Sequence, residues 1–289
     1  MNALRKKLWG AAAYGRRNPK LLSGVGLILA LVLFWLIGSL LVSPTRAEPL
    51  AGLPSQPPSW QYLLGTDSHG RDLLAVIMVG TGLTLRIGLS AGAIGLGIGM
   101  ILGFLSGYYG GLLDTVIKGA ADVLLTLPLL AVLVVVVAMM PGVISLNLMI
   151  LVVASLSWML PTRAIRAQVL TMRERAYIQV ARLSGMNNLE VIVKELMPNL
   201  LPYLAACFVG ATAGAVLASI GLEALGLGPQ HLPTLGMTIY WAISYAAMLR
   251  GMWWWWAPPA VIIALLFVGL FLLTAGLDEI ANPKLRRGM

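Results

Sequence analysis

Residues 176–199 read AYIQVARLSGMNNLEVIVKELMPN, inside a chain that is otherwise greasy enough for lipid. From Arg173 onward this region carries seven formal charges: Arg173, Glu174, Arg175, Arg182, Glu190, Lys194 and Glu195. At a bilayer centre, with about 2.5–3.5 kcal/mol for each, they would cost up to roughly 17–25 kcal/mol, so the segment stays in water. Its pattern is nevertheless helical. Tyr177, Val180, Ala181 and Ser184 recur on one face, and Gly185 interrupts as a left-handed residue does at a helix end. Asn187 then caps a second helix, with Glu190 three residues on in a capping-box arrangement. Leu189, Ile192, Val193 and Leu196 follow the i, i+3, i+4, i+7 template until Pro198 limits the helix. The sequence thus predicts two short amphipathic helices joined at Gly185. Each has an apolar stripe that needs cover from the bilayer surface, the rest of the chain or a second protein.

The surroundings are those of a polytopic membrane protein. Of 289 residues 59% are hydrophobic and 11% charged, and the mean hydropathy is +0.88, which excludes an ordinary soluble core. Six apolar runs reach the roughly 20 residues that a spanning helix needs: 21–43, 79–107, 112–140, 142–162, 198–222 and 255–277. The second and third exceed that length, so tilt or interfacial extensions are expected. The first run is too long for a signal peptide and lacks a clean small-residue cleavage site, so it is expected to remain as a helix. The single cysteine, Cys207, lies in the fifth run and reads as a packed thiol. The net charge of +9 raises the question of nucleic acid, and its distribution answers it. With the N-terminus in the cytoplasm, Arg46, Arg71, Arg86 and Arg250 fall outside and the other sixteen of the 20 Lys and Arg residues fall inside. Such asymmetry orients a membrane protein.

On this topology residues 1–20 are a cytoplasmic N-terminal amphipathic segment and 21–43 the first transmembrane helix. Residues 44–78 are an external segment, and 79–277 a transmembrane core with a cytoplasmic loop at 163–197. A cytoplasmic tail, 278–289, follows. In GYYGG, Tyr108 and Tyr109 are placed as interfacial anchors. Gly88 and Gly92, then Gly95, Gly99, Gly103 and Gly107, make a smooth helix surface for a closely packed partner: this chain, a second subunit or the wall of a path. Asp122 has Lys118 one turn away and reads as a structural ion pair or as a path-lining carboxylate. Glu223, at the outer end of the fifth run, reads as an exposed carboxylate, or as a contact for cationic substrate or a binding protein. Asp67, Arg71 and Asp72 are expected to form a charge network that fixes the entrance to the second span. Trp253 to Trp256 suit the outer headgroup layer. His69 and His231, without a cysteine or carboxylate cluster, make a poor metal-ligand set. The chain has neither a G-x-x-x-x-G-K-[ST] phosphate loop nor the H-E-x-x-H or G-x-S-x-G motifs, so it is not expected to be an enzyme.

The charged segment resembles the EAA loop of permease subunits of ATP-binding-cassette importers, with Gln179, Val180, Ala181, Gly185, Ile192, Glu195 and Pro198 on the matching positions. LGTDSHGRDLL, GYYGGLLD, DVLLTLPLL, LMPNLLPYL, LGLG and the terminal NPKLR resemble signatures of the second permease subunit of dipeptide, oligopeptide and nickel importers, over about residues 20–287. The resemblance implies an all-α type I importer permease fold with six transmembrane helices in a prokaryotic plasma (inner) membrane, both termini cytoplasmic. The implied partners are a second, homologous permease chain, two ATP-binding-cassette ATPase subunits or domains that bind ATP and Mg, and an extracytoplasmic substrate-binding protein. It assigns ATPase coupling to Tyr177, Gln179, Val180, Ala181, Gly185, Leu189, Ile192, Glu195, Leu196 and Pro198. Short peptides are the implied cargo, with nickel or oligosaccharides as alternatives. Gln179, Val180 and Glu195 depart from the family's usual Glu, Ala and His. Near the outer mouth the usual acidic and aromatic residues before LGLG are replaced or shifted, leaving Ser219 and Glu223. With Asp122, these are the candidates for the translocation path. A secondary transporter would instead need ion-coupling charges near midmembrane, where Asp122 alone comes close, and an integral scaffold would leave the loop without a task.

Overall fold

The structure, a computed structural model, describes residues 18–281. Most of the expected N-terminal amphipathic segment and all of NPKLR lie outside the described residues. Within them the regular elements are helices, and the one β-bridge joins Thr66 to Asp72. The helices are α1 (Pro19–Leu41), α2 (Leu73–Tyr109), α3 (Gly111–Thr126), α4 (Leu129–Ala138), α5 (Leu146–Met172), α6 (Ala176–Leu183), α7 (Asn188–Ala224), α8 (Leu235–Ser244) and α9 (Trp253–Ala281).

Five of them, α1, α2, α5, α7 and α9, are long and apolar enough to cross a membrane. The sixth expected span is broken, because α3 and α4 meet at 89°. The cause is Pro128, which excludes Leu127 from the helical region; Leu127 is extended at φ −84°, ψ 140°. Hydrophobicity alone had carried the run through this break. Two spans also outrun their apolar cores. α5 continues to Met172 and α7 begins at Asn188, so both flanks of the expected 163–197 loop are helical. Pro198 does not limit a helix, contrary to expectation. It follows a π-helical stretch, Val191–Leu196, whose last bond joins Met197 N–H to Ile192 O, and the return to α-helical bonding falls where proline has no N–H to place.

α2 is the central rod. Its start is fixed by Asp72, whose carboxylate accepts from Leu74 N at 3.1 Å and pairs with Arg46 at 3.0 Å. Its end is fixed by Gly110 at φ +70°. The glycines divide between two neighbours. A Cβ on Gly92 would stand 2.7 Å from Thr212 Oγ1 of α7, beside Gly88 against Val216. On Gly95, Gly99, Gly103 and Gly107 it would stand 2.5–2.9 Å from Ser157, Pro161, Thr162 O and Val169 of α5. Both sets therefore serve packing within this chain. The three-residue step from Gly92 to Gly95 turns the second set by about 60° from the first, enough to address a different helix.

Around the rod, Ile87 and Ala91 of α2 meet Leu133 of α4, Met149 and Val153 of α5, and Leu222 of α7 in one core. α1 leans on α9, with Gly24 against the Leu273 backbone, Gly276 against Leu21, and Lys20 Nζ 2.7 Å from Glu279. Outward, the bundle shows lipid-type surface, including Leu40 at 84% and Phe271 at 72% exposure. In water such surface would be disfavoured by about 25 cal/mol per Å².

The segment between α1 and α2 is polar at its heart. Buried Asp67 accepts from Arg71 Nε at 2.6 Å, Arg71 N at 2.9 Å and His69 N at 2.8 Å, which is part of the network expected at this entrance; Asp72, its third expected member, pairs with Arg46 instead. The tryptophan block divides by face. Trp253 is half exposed, while Trp255 is fully buried with Leu73, Val76 and Met252, so a single role in the headgroup layer does not describe the block.

Candidate functional site

At the Tyr109 end of the rod the charged segment folds into a small helical knob. α6 buries Ile178 and Ala181 against Phe104 and Tyr108 of α2, Ile165 and Val169 of α5, and Val191, Ile192 and Leu196 of α7. Each buried branched side chain contributes about 1.5–3 kcal/mol to holding the knob on the bundle. The joint between its halves follows local rules. Gly185 takes φ +86°, Met186 N donates to Ala181 O at 3.2 Å, and Gly185 N to Arg182 O at 3.0 Å, closing the C-terminus of α6. Asn187 Oδ1 accepts from Glu190 N at 2.8 Å while Glu190 Oε2 accepts from Asn187 N at 3.1 Å, the complete capping box.

The face left open is apolar: Val180 is 61%, Leu183 88%, Leu189 62% and Val193 54% exposed. Tyr177 lies beside them half exposed, and Gln179 and Gly185 are open. Ala181, Ile192 and Leu196, expected on the partner-facing stripe, are turned inward at 7%, 5% and 0% exposure. The α6 core face is Ile178 with Ala181, not the stripe through Tyr177 and Val180. On α7 the rod and α5 already occupy the side carrying Ile192 and Leu196. Glu195 is partly exposed and Pro198 exposed on the first turns of α7.

Four residues absent from the expected coupling set matter here: Arg173, Arg182, Tyr108 and Asn188. Arg173 Nη1 donates to the carbonyls of Gly107 and Tyr108, at 3.0 and 3.3 Å, placing a cation on the C-terminal end of α2. Arg182 Nε donates to Tyr108 Oη at 3.2 Å, and that hydroxyl donates to Asn188 Oδ1 at 3.0 Å. Tyr108 is only 6% exposed, so it is an internal tie rather than an interfacial anchor; Tyr109, 46% exposed, keeps that geometry. The sequence signal was faint, since GYYGG marks a turn without saying which ring points inward.

Asp122 pairs with Arg163 of α5 at 3.4 Å and not with Lys118, because α3 lies along α5 and the guanidinium reaches across. Eight residues earlier, Asp114 makes a bidentate pair with Arg166, its Oδ2 2.6 Å from Nη2, and also accepts from Ser106. Ser219 and Glu223 are fully buried, which corrects the exposed carboxylate expected at 223. Ser219 Oγ donates to Val216 O at 3.0 Å. The Glu223 side chain lies against Gly228 and against Gly236 in the first turn of α8, where any Cβ would collide with it. Neither Glu223 carboxyl oxygen has a hydrogen-bond partner among the described residues, so its visible contact with the first turn of α8 is one of packing.

Two cavities flank these elements. One of about 510 Å³ lies between α3, α4, α5 and α7, walled by Leu124, Leu127, Leu156, Leu160, Cys207 and Gly214. The other, of about 1030 Å³, adjoins the knob and is lined by Gln168, Arg175, Tyr177, Asn199, Tyr203 and Asp278. Asp122, Ser219 and Glu223 line neither. Among the described residues no three His, Cys, Asp or Glu side chains gather into a metal-binding group; His69 packs edge-on to Trp241 and Tyr245.

A helical bundle of membrane-spanning length that carries a small helical knob with exposed apolar side chains at one end is a multi-pass membrane component. Its sequence matches, over residues 95–287, the family described as binding-protein-dependent transport system inner membrane component, and the chain belongs to that family. Among relatives, the di/tripeptide transport system permease protein DppC of Pseudomonas aeruginosa is 31% identical over 290 residues, covering 97% of this chain and 92% of that one. DppC of Bacillus subtilis, a dipeptide transport system permease protein, is 30% identical over 273 residues, 94% of this chain and 84% of that one. The oligopeptide transport system permease protein OppC of Mycobacterium tuberculosis is 33% identical over 175 residues, 61% of this chain, and the match spans 60% of that protein's length.

Proposed function

We propose that this chain is a permease subunit of an ATP-driven importer of short peptides, contributing half of the translocation path and coupling it to cytoplasmic ATPases. The observation that carries the reading is the knob, where four exposed apolar side chains stand on a segment whose other face is locked into the bundle. A loop with no partner would gain nothing from such rigidity. Family membership and the peptide permeases among the relatives support the assignment.

In this reading the knob end is cytoplasmic, as the excess of Lys and Arg on that side favours, and Pro44–Asp72 and α8 face outward. Val180, Leu183, Leu189 and Val193 enter a groove on an ATPase subunit, flanked by Tyr177, Gln179 and Glu195. Gly185, Ala181, Ile192, Leu196 and Pro198 hold the shape behind them. A second permease chain completes the path, an extracytoplasmic binding protein delivers peptide, and ATP and Mg act in the partner subunits. Closure of the ATPases on nucleotide moves the knob as a rigid body and switches the spans between outward and inward access. The apolar cavity between α3, α4, α5 and α7 is this chain's contribution to the path wall.

The test is isolation of the complex in mild detergent. ATPase subunits are expected to co-purify with the native chain and to be lost when Val180 and Leu183 are both replaced by Asp. Peptide uptake into liposomes by this chain alone would overturn the reading.

A further inference from the structure

In the reading above the outward face of the knob grips a partner and its second half runs on into α7; how its movement would also reach α2 is a separate question. The contacts on the inner side converge on one side chain. The Tyr108 hydroxyl joins both halves of the knob, 3.2 Å from Arg182 Nε in α6 and 3.0 Å from Asn188 Oδ1 at the start of α7. The Arg182 guanidinium also lies over the Tyr108 ring, 5.0 Å from its centroid. Arg173, just before α6, grips the Gly107 and Tyr108 carbonyls in the same turn. All three arms therefore end on the last turn of α2, where the glycine face that beds this helix on α5 comes to its end at Gly107.

α2 runs without a break from there to the opposite end of the bundle. Within its outer half Thr84 Oγ1, buried, accepts from Leu235 N at 3.1 Å, and Gly80 lies directly beneath the Pro233 carbonyl. The 24 residues between Thr84 and Tyr108 span about 36 Å of helix. One rigid element thus touches both the knob and the first turn of α8, against which Glu223 packs.

We infer that Tyr108 is a positioning residue for transport: its hydroxyl registers the knob to the end of α2, so that displacement of the knob drives α2 lengthwise and, through Thr84, the opposite end of the path. This rests on the permease reading above. Arg182 and Asn188 are both solvent-exposed, so removing the hydroxyl leaves them to water and strands no buried polar group. Tyr108→Phe is consequently a mild change for the fold and a specific one for the joint.

The test uses the whole complex in liposomes, with a labelled dipeptide on its cognate binding protein and with ATP hydrolysis followed in parallel. Tyr108→Phe is expected to retain ATPase subunits and thermal stability, while peptide moved per ATP hydrolysed falls by about tenfold, the factor that one hydrogen bond to a charged group supplies to a two-state coupling. Arg182→Gln is expected to behave likewise, Arg182→Lys to recover part of the ratio, and Tyr108→Phe with Arg182→Gln to be no worse than either alone. An unchanged ratio in Tyr108→Phe overturns the inference. So does a fall that merely tracks lost ATPase co-purification or lost stability, which would make Tyr108 a packing residue. Failure of the native chain to retain ATPases would instead refute the permease reading, which separates the two claims.

Discussion

Leu183 gives the sharpest handle on the knob, because it is 88% exposed and contributes almost nothing to the fold of this chain. Its truncation to Ala is expected to leave the melting temperature of the isolated chain within the range of surface changes, about ±0.5 kcal/mol. In the proposed complex the side chain would enter an ATPase groove, and full burial of a leucine is worth about 1.5–3 kcal/mol. Leu183→Ala forfeits most of that, roughly 2 kcal/mol, which is about a thirtyfold loss of affinity. The assay is titration of purified ATPase onto the chain in lipid nanodiscs, with thermal unfolding measured on the same preparations. Ile178→Ala is the counterpart: with Ile178 fully buried, it is expected to cost about 2–5 kcal/mol of stability and to weaken binding only through the damaged fold. The reasoning is refuted if Leu183→Ala binds ATPase as tightly as the native chain, or if it lowers stability as Ile178→Ala does.

Other substitutions probe the scaffold behind the knob. Asn187→Ala removes the capping box and is expected to cost about 1 kcal/mol locally, seen as roughly fivefold faster hydrogen exchange at the Glu190 amide with global stability retained. Gly99→Val places a side chain 2.6 Å from Pro161 Cβ and is expected to destabilise the α2–α5 contact by about 1–3 kcal/mol in thermal unfolding. Gly97→Ala, with nothing within 4 Å of the new Cβ, is expected to be neutral or stabilising in the same measurement. Gly236→Ala is expected to be harmful with Glu223 present and tolerated with Glu223→Gly, which also removes the Glu223 Cβ that would lie 2.8 Å away, a coupling of about 0.5–3 kcal/mol in a double-mutant cycle on stability.

What the sequence made legible was local. Gly185 and Asn187 act through their own backbone and nearest turn, so the joint between the knob helices was readable before any fold was known. The glycine spacing likewise announced close helix packing, and even its division into two sets survives as two separate partners. What escaped depended on which surfaces meet in space. Periodicity gave the knob apolar stripes through Tyr177, Val180 and Ala181 and through Leu189, Ile192, Val193 and Leu196, yet the end of α2 and the flank of α5 claim Ala181, Ile192 and Leu196, while Leu183, on neither stripe, is left outside. Asp122 had Lys118 one turn away, and the packing of α3 beside α5 gave it Arg163 instead. The break at Pro128 was present in the letters, but an unbroken apolar run outweighed a single proline. Glu223 was read as exposed because nothing nearby in sequence announces that α8 folds back onto it.

The most direct measurement joins the knob to its partner covalently. With Leu183→Cys in a Cys207→Ser background, a short thiol cross-linker applied to membranes containing the assembled complex is expected to link this chain to an ATPase subunit, and bound ATPase is expected to shield the thiol from a water-soluble maleimide. Equal labelling of Leu183→Cys with and without ATPase, and no cross-linked species, would contradict the account.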